Sequence, residues 1–211
     1  KRSEMIDKIS DNSKEFDFRI IGGGATGIGI ALEASARGYS VVLLEKSDFT
    51  KSTSSKSTKL VHGGVRYLAQ GDLGLVREAV IERGLLTQNA PHLVKDQTFI
   101  IPTHGLYDEL QYTVGLTLYD LLAGKYSLGR SKRISKSKTL SRISTINPKK
   151  ISAGVVYHDG QFDDSRLAIN TLQSSVKMGA IVINYCSVSG LLKDNNGKVS
   201  GVKFMDIEGN K

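Results

Sequence analysis

Gly22, Gly24 and Gly27 stand at one strand-to-helix junction with G-x-G-x-x-G spacing, and no other feature constrains this chain as much. Residues 16–21 before them are short and β-rich. Residues 25–37 after them are rich in small side chains and predict a helix that stops at Gly38. Val41–Leu44 is a continuous apolar run, as a strand buried on both faces of a parallel sheet requires. An acid, Glu45, follows Gly24 by 21 residues. Strand, glycines, helix, second strand and acid together describe a nucleotide-diphosphate site. Gly22 permits the tight turn, Gly24 lets the backbone approach a pyrophosphate, and Gly27 lets the helix pack against the strand. The helix end, with Thr26 in its first turn, offers N–H groups and positive partial charge to phosphates. Glu45 suits a ribose 2′- and 3′-hydroxyl and would repel a 2′-phosphate, which disfavours NADP. NAD and FAD both use such a unit.

The chain has 211 residues, enough for one domain or a tight pair with a real core. Its single cysteine, Cys186, excludes an internal disulfide and a cysteine-rich zinc site, so a reducing compartment is expected. His92, His104 and His158 lack metal-ligand spacing, and no metal is expected. No apolar run approaches the ~20 residues of a membrane-spanning helix, and residues 1–16 lack the apolar core of a secretory signal. The net charge of +8 is local. Residues 125–150 hold nine bases and no acid; without them the chain has 20 bases against 21 acids. Such a segment suits an anionic membrane surface or a solvated loop equally. With no aromatic platform beyond Tyr126, nucleic acid is not expected.

Farther along, residues 47–59 are crowded with Ser, Thr and Lys and would pass for a linker by composition. Helices are expected over 72–88, with Asp72 as N-cap and Leu73, Leu75, Val76, Val80, Leu85 and Leu86 as the apolar positions, over 107–123, and over 164–178. Strands are expected over 97–102, 154–157, 180–188 and, after an Asn195-Asn196-Gly197 turn, 198–205. Tyr112, Leu116 and Tyr119 read as one apolar stripe packed in the core. Asp163 and Asp164 read as helix caps rather than as a catalytic pair.

The string from Thr53 to Leu68, TSSKSTKLVHGGVRYL, is highly distinctive. With the Gly22–Glu45 unit it resembles the FAD-dependent glycerol-3-phosphate dehydrogenases and their glycerophosphate oxidase relatives. The match continues through Arg77-Glu78-Ala79, Glu82-Arg83, Ala90-Pro91-His92-Leu93, Tyr119-Asp120 and Asp163-Asp164-Ser165-Arg166-Leu167, and is weakest over residues 128–151. Members of that family are much longer, so this chain resembles an amino-terminal portion.

The resemblance implies an α/β fold: a Rossmann-like FAD-binding domain of the D-amino-acid-oxidase-like type, with part of an inserted α+β cap. The expected boundaries are an extension over 1–15, FAD-binding parts over 16–85 and 153–211, and a cap segment over 86–152. It implies FAD as cofactor, held by Gly22, Gly24, Thr26, Gly27, Glu45, Thr53, Ser54, Ser55, Ser57, Thr58, Lys59, His62, Gly63 and Gly64, with Val188 on the strand against the adenine. Arg66 and Tyr67 would meet the substrate phosphate, the alternative being that Arg66 pairs with Glu78 or Glu82. His62 is the candidate base for the alcohol proton, the alternatives being a flavin hydrogen bond or a base supplied from beyond residue 211. The implied reaction oxidises sn-glycerol 3-phosphate to dihydroxyacetone phosphate by hydride transfer to flavin. Electrons then pass to a membrane quinone, or to O₂ in the oxidases; a fragment that only binds FAD is the third reading. A cytoplasmic location, peripheral association with the inner membrane and a homodimer complete the expectation.

Overall fold

The computed structural model describes residues 1–11 and 13–209. From the amino end come α1 (Arg2–Ser10), β1 (Phe18–Ile21), α2 (Ala25–Ala36), β2 (Val41–Leu44), a 3₁₀ turn at Thr53–Ser55, β3 (Leu60–Val61), α3 (Val65–Leu68), α4 (Leu73–Asn89), β4 (Val94–Thr103) and α5 (Leu106–Ala123). They are followed by β5 (Lys132–Ser135), α6 (Lys136–Arg142), β6 (Ala153–Phe162), α7 (Asp164–Lys177), β7 (Ile181–Ile183), β8 (Cys186–Lys193) and β9 (Val199–Asp206). The chain divides into two units, Lys1–Ser57 with Asp164–Lys211, and Thr58–Asp163. These breaks differ from the boundaries expected at 15, 85 and 152. β3 pairs with residues 160–161 of β6, which draws 58–85 and 153–163 into the second unit.

The first unit is built on a parallel sheet in the order β1-β2-β7. All four residues of β2 are buried, and they alternate between two cores. Val41 and Leu43 face α2 and α7, meeting Ile28, Ala31, Ala34, Ala168 and Leu172. Val42 and Leu44 face the other way, toward Ile6 of α1, Ile183 and Cys186, with Val188, Val202 and Phe204 beside them. Each fully buried aliphatic side chain contributes roughly 1.5–3 kcal/mol, so this one short strand anchors both layers. The alanines of α2 let that helix approach α7 closely.

Near the amino end, α1 covers one face of the sheet through Ile6. Arg2 locks it there, with Nη2 2.5 Å from Asp206 Oδ1 and also donating to the Tyr185 carbonyl. The strand expected over 180–188 is two strands. Tyr185 has φ +49, a left-handed conformation that breaks the extended run, so β7 stays in the parallel sheet while β8 turns away to pair with β9. Cys186 is buried, and its thiol is pushed up to about 11 by that burial, with the nearby Asp206 charge adding and Arg2 opposing.

The second unit is an antiparallel sheet in which β6 pairs with β4 over ten residues on one side and with β3 and β5 on the other. Asp72 caps α4 as expected, accepting from Leu75 N at 3.0 Å. Of the apolar positions expected on α4, Val76 and Val80 are buried and Leu85 and Leu86 partly so, but Leu73 and Leu75 are exposed, and Arg83 and Gly84 join the buried face. On α5, Leu116 and Tyr119 are core residues, but Tyr112 is exposed. No helix among the described residues is long and apolar enough to cross a membrane.

Candidate functional site

In the first unit, β1 runs into α2 through Gly22, which has φ +108. A Cβ on Gly27 would overlap the Gly22 carbonyl oxygen, so only glycine lets the helix start this close to the strand. The N-cap, Gly24, has no side chain to close the helix end. Instead Ser54 Oγ reaches across and accepts from Ala25 N at 2.9 Å. Thr26 is exposed in the first turn of the helix. Glu45, at the end of β2, accepts from Gly23 N at 2.7 Å and from Ser47 N at 2.8 Å. Its carboxylate therefore braces the glycine loop while retaining lone pairs for further donors.

Gly24, Glu45, Lys46, Ser47, Thr50 and Ser54, with their neighbours, line a pocket of about 250 Å³ at this helix end. The donor set is a helix N-terminus whose Ala25 amide is met by Ser54, short hydroxyls, lysines and one acid, which is the chemistry a dinucleotide pyrophosphate and ribose require. Thr50 on its rim holds φ +62, strained for a β-branched residue, with its N–H donating to the Gly23 carbonyl at 2.9 Å.

The Ser/Thr-rich string is ordered by specific contacts. Thr53, Ser54 and Ser55 form the 3₁₀ turn, and Ser55 Oγ donates to the Ser52 carbonyl at 3.2 Å. Ser57 donates from its backbone and its hydroxyl to Asp164 Oδ2, at 3.2 and 2.6 Å. Asp164 also accepts from Ser165 N at 2.7 Å, so it serves the start of α7 and the end of the string together. Val188 lies on β8 opposite Phe204, packed against Ile183 and Cys186, and it is not among the residues lining the pocket.

In the second unit, Thr58, Leu60, His62, Gly64, Val65, Arg66, Tyr67, Gln70, Phe99, Tyr157 and Asp159 line a pocket of about 510 Å³. Lys59, at φ +61, turns the chain into β3 and its carbonyl accepts from Phe162 N at 3.0 Å. Gly64, at φ +76, caps the one-turn helix α3, which carries Arg66 and Tyr67. Among the described residues Arg66 makes no ion pair with Glu78 or Glu82. Its charge is felt instead at Tyr157, whose phenol is raised by burial and by Asp159, with Arg66 opposing. Phe99 stacks on Tyr157 across β4 and β6, with ring centroids 5.1 Å apart.

Asp159, on the wall of this pocket, is the centre of a buried group that the sequence did not single out as a site. Asp159 Oδ1 accepts from Gly63 N at 3.2 Å, Arg83 Nη1 at 2.9 Å and Gly160 N at 3.1 Å. Its Oδ2 accepts from the Tyr119 hydroxyl at 3.0 Å. Arg83 Nη1 also donates to that hydroxyl at 3.0 Å, and Nη2 to the Tyr126 carbonyl at 3.2 Å. A signal for Arg83 was present: it follows Val80 by three and Val76 by seven, so it falls on the apolar stripe of a helix. Asp159, Tyr157, Phe99 and Gln70 carry no comparable local signal.

Residues 17–210 match the family described as FAD dependent oxidoreductase. The chain belongs to that family. Within the FAD-dependent oxidoreductases it is 42% identical over 218 residues to the mitochondrial glycerol-3-phosphate dehydrogenase of Saccharomyces cerevisiae, covering all of this chain and 33% of that protein. It is 41% identical to the aerobic glycerol-3-phosphate dehydrogenase of Staphylococcus aureus, over 97% of this chain and 37% of that one. In structure it is similar to the glycerol-3-phosphate dehydrogenase of Bacillus halodurans complexed with FAD, at a TM-score of 0.73 and 29% identity, over 100% of this chain and 34% of that chain. The chain thus spans about a third of the length of the curated relatives it matches.

Proposed function

We propose that this chain carries the FAD-binding part, and part of the substrate pocket, of an enzyme that oxidises sn-glycerol 3-phosphate to dihydroxyacetone phosphate. The observation that carries this reading is the convergence of His62, Arg66 and Tyr67 on one pocket, in a chain 41–42% identical to proteins named glycerol-3-phosphate dehydrogenase. In the first unit, Gly22, Gly24, Thr26 and Gly27 at the α2 N-terminus would take the pyrophosphate, and Glu45 a ribose hydroxyl. Thr53, Ser54, Ser55, Ser57, Thr58 and Lys59 supply hydroxyl and backbone donors along the remainder of the cofactor, with His62, Gly63 and Gly64 at the flavin and Val188 toward the adenine.

FAD, when bound, supplies the acceptor for the hydride leaving C2 of the alcohol. Arg66 holds the substrate phosphate through its planar, permanently charged fork, and Tyr67 adds a neutral donor. With the phosphate fixed, the carbinol end has limited freedom, and this orientation is where much of the rate gain lies. His62, exposed in the same pocket, accepts the hydroxyl proton as C2 loses its hydride, which leaves the ketone. Phe99 and Tyr157 give the wall an apolar, water-excluding surface.

The electron acceptor in this reading is a membrane quinone. Its support is a basic segment that follows an apolar helix face. Leu106, Tyr107, Leu110, Val114 and Leu121 of α5 are exposed, and the nine bases over 125–150 come next in the chain. That pairing suits an anionic lipid surface, where a lipophilic acceptor resides.

The test is to load the purified chain with FAD and add sn-glycerol 3-phosphate without oxygen. Bleaching of the oxidised flavin spectrum is the expected result. A bound flavin that stays oxidised would leave this polypeptide as a binding module only. Failure to take up FAD at all would overturn the cofactor assignment for the chain by itself.

A further inference from the structure

Asp159, on the pocket wall, forms a closed ionic cluster with Arg83 and Tyr119, which do not line the pocket. The Arg83 and Asp159 side chains are 1% and 4% exposed, and Tyr119 is 1% exposed. The cluster has an unusual target: besides its own members, it binds the backbone of the His62-Gly63-Gly64 segment. Asp159 Oδ1 accepts from the Gly63 N–H at 3.2 Å. Contact completes what the hydrogen bond begins. A Cβ on Gly63 would overlap both the Tyr119 hydroxyl and Val80 Cγ1, so the Gly63 backbone lies directly against the phenol. On either side of this pinned glycine, His62 and Gly64 line the pocket.

Core stability alone accounts poorly for such a cluster. Burying an ion pair carries a desolvation cost that commonly cancels its attraction, and apolar residues of equal volume are often as stable or more so. Here a further donor is sacrificed: among the described residues, Arg83 Nε is buried without a hydrogen-bond partner. What a buried ionised carboxylate supplies, and an apolar side chain cannot, is a fixed acceptor of defined direction. The Tyr119 phenol is raised well above its ordinary range, first by burial and then by the Asp159 charge, so it stays a neutral donor.

We infer that Asp159 is a positioning residue of the pocket: held by Arg83 and Tyr119, it fixes the Gly63 amide and thereby sets where His62 and Gly64 stand. The inference rests on the functional reading above only for what the pocket does, not for how its wall is held. Arg83 and Tyr119 are not among the residues lining the pocket, and the cluster acts on His62 and Gly64 through one peptide unit. Its loss would free that unit by a rotation or small shift, and displacements of that size cost up to about a hundredfold in rate when they misalign reacting groups.

Two variants test it in the full chain. Asp159→Asn removes the charge and leaves Arg83 unpaired; because that variant could fail to fold, Tyr119→Phe removes only the hydroxyl. The first readout is amide hydrogen exchange in the cofactor-free protein. Gly63 is expected to exchange at least about tenfold faster in each folded variant, while amides of the β4–β6 ladder keep their protection. The second readout, on protein loaded with FAD, is the visible circular dichroism of the flavin together with turnover of glycerol 3-phosphate. The flavin band is expected to change shape, with kcat falling roughly tenfold to a hundredfold and KM within about threefold of wild type. Gly63 exchange that rises only in step with the whole sheet, or a Tyr119→Phe protein with unchanged Gly63 exchange, would overturn the proposal. A wild-type chain whose flavin glycerol 3-phosphate never bleaches would sink the substrate reading alone, because the exchange result stands without substrate.

Discussion

Ser57 and Asp164 are 107 residues apart in the chain, and one carboxylate oxygen of Asp164 holds both the backbone N–H and the hydroxyl of Ser57, at 3.2 and 2.6 Å. The other oxygen of that carboxylate starts α7 by accepting from Ser165 N. A serine-rich segment that composition alone would assign to a linker is thereby tied to a helix that packs on the parallel sheet.

Replacing Asp164 by alanine should free the end of the string. Buried charged acceptors of this kind contribute about 1.5–3 kcal/mol, so the midpoint of urea unfolding should fall accordingly. FAD affinity, followed by quenching of flavin fluorescence, should weaken. Unchanged affinity in a folded Asp164→Ala protein would show that Ser57 has no part in holding the cofactor.

Gly27→Val is expected to be more damaging than any other single change in the glycine turn. The added side chain meets the Gly22 carbonyl, which is backbone and cannot step aside. Overpacking of this sort costs about 1–3 kcal/mol, and it also pushes α2 away from the proposed phosphate contact. Equilibrium dialysis with FAD should show loss of binding even where circular dichroism still reports a folded chain.

Arg66→Lys should not rescue Arg66→Ala. Lysine keeps the charge but not the planar fork, so both variants should raise KM for glycerol 3-phosphate, each losing on the order of 1.5–3 kcal/mol of phosphate binding, tenfold or more. Steady-state kinetics on protein with saturating FAD decides it. A lysine variant with the wild-type KM would place the phosphate elsewhere.

Asp206 gives a pH signature to the packing of α1. Its hydrogen bond from Arg2 holds the carboxyl below the ordinary value of 3.8, with the Arg2 charge helping and burial opposing. Because the folded value is the lower one, the stabilisation is complete above 3.8 and is lost as pH falls through the folded value. Asp206→Asn should therefore be less stable than wild type at neutral pH, and the gap should close in acid below that point. Paired urea titrations across pH 2–7 measure it; a gap that stays constant would mean that Asp206 is not the group responsible.

Binding to vesicles should require anionic lipid and weaken with salt, since the screening length drops from about 10 Å at 0.1 M to about 3 Å at 1 M. Co-sedimentation with neutral and anionic vesicles tests it. Equal binding to both would remove the basic segment over 125–150 as the contact.

The glycine spacing, the apolar run Val41–Leu44 and Glu45 were enough to write down the βαβ unit, because each acts through its immediate neighbours. Helix α4 shows where that ends. Asp72 was readable as its cap, since capping is local, and Val76 and Val80 as buried, but Leu73 and Leu75, expected on the same face, are exposed, while Arg83 is buried. Helical spacing from Val76 and Val80 puts Arg83 on the apolar stripe, but it says nothing of its partners, Asp159 and Tyr119, which come from a strand and a helix 76 and 36 residues away. The strand expected over 180–188 broke at Tyr185 because a single left-handed residue, and not composition, redirects the chain.

The sequence by itself determined the nucleotide-binding turn and the string from Thr53 to Leu68, because glycine's missing Cβ and the order of donors along a loop are properties of the chain. Tertiary structure alone decided which side chains stand together. It divided that string at Ser57 and Thr58 between two units, carried Glu45 to the Gly23 amide, and placed Tyr157 and Phe99 in the wall with His62 and Arg66. Those groupings depend on strand register and on burial, where a charge must find its partner wherever the fold delivers one.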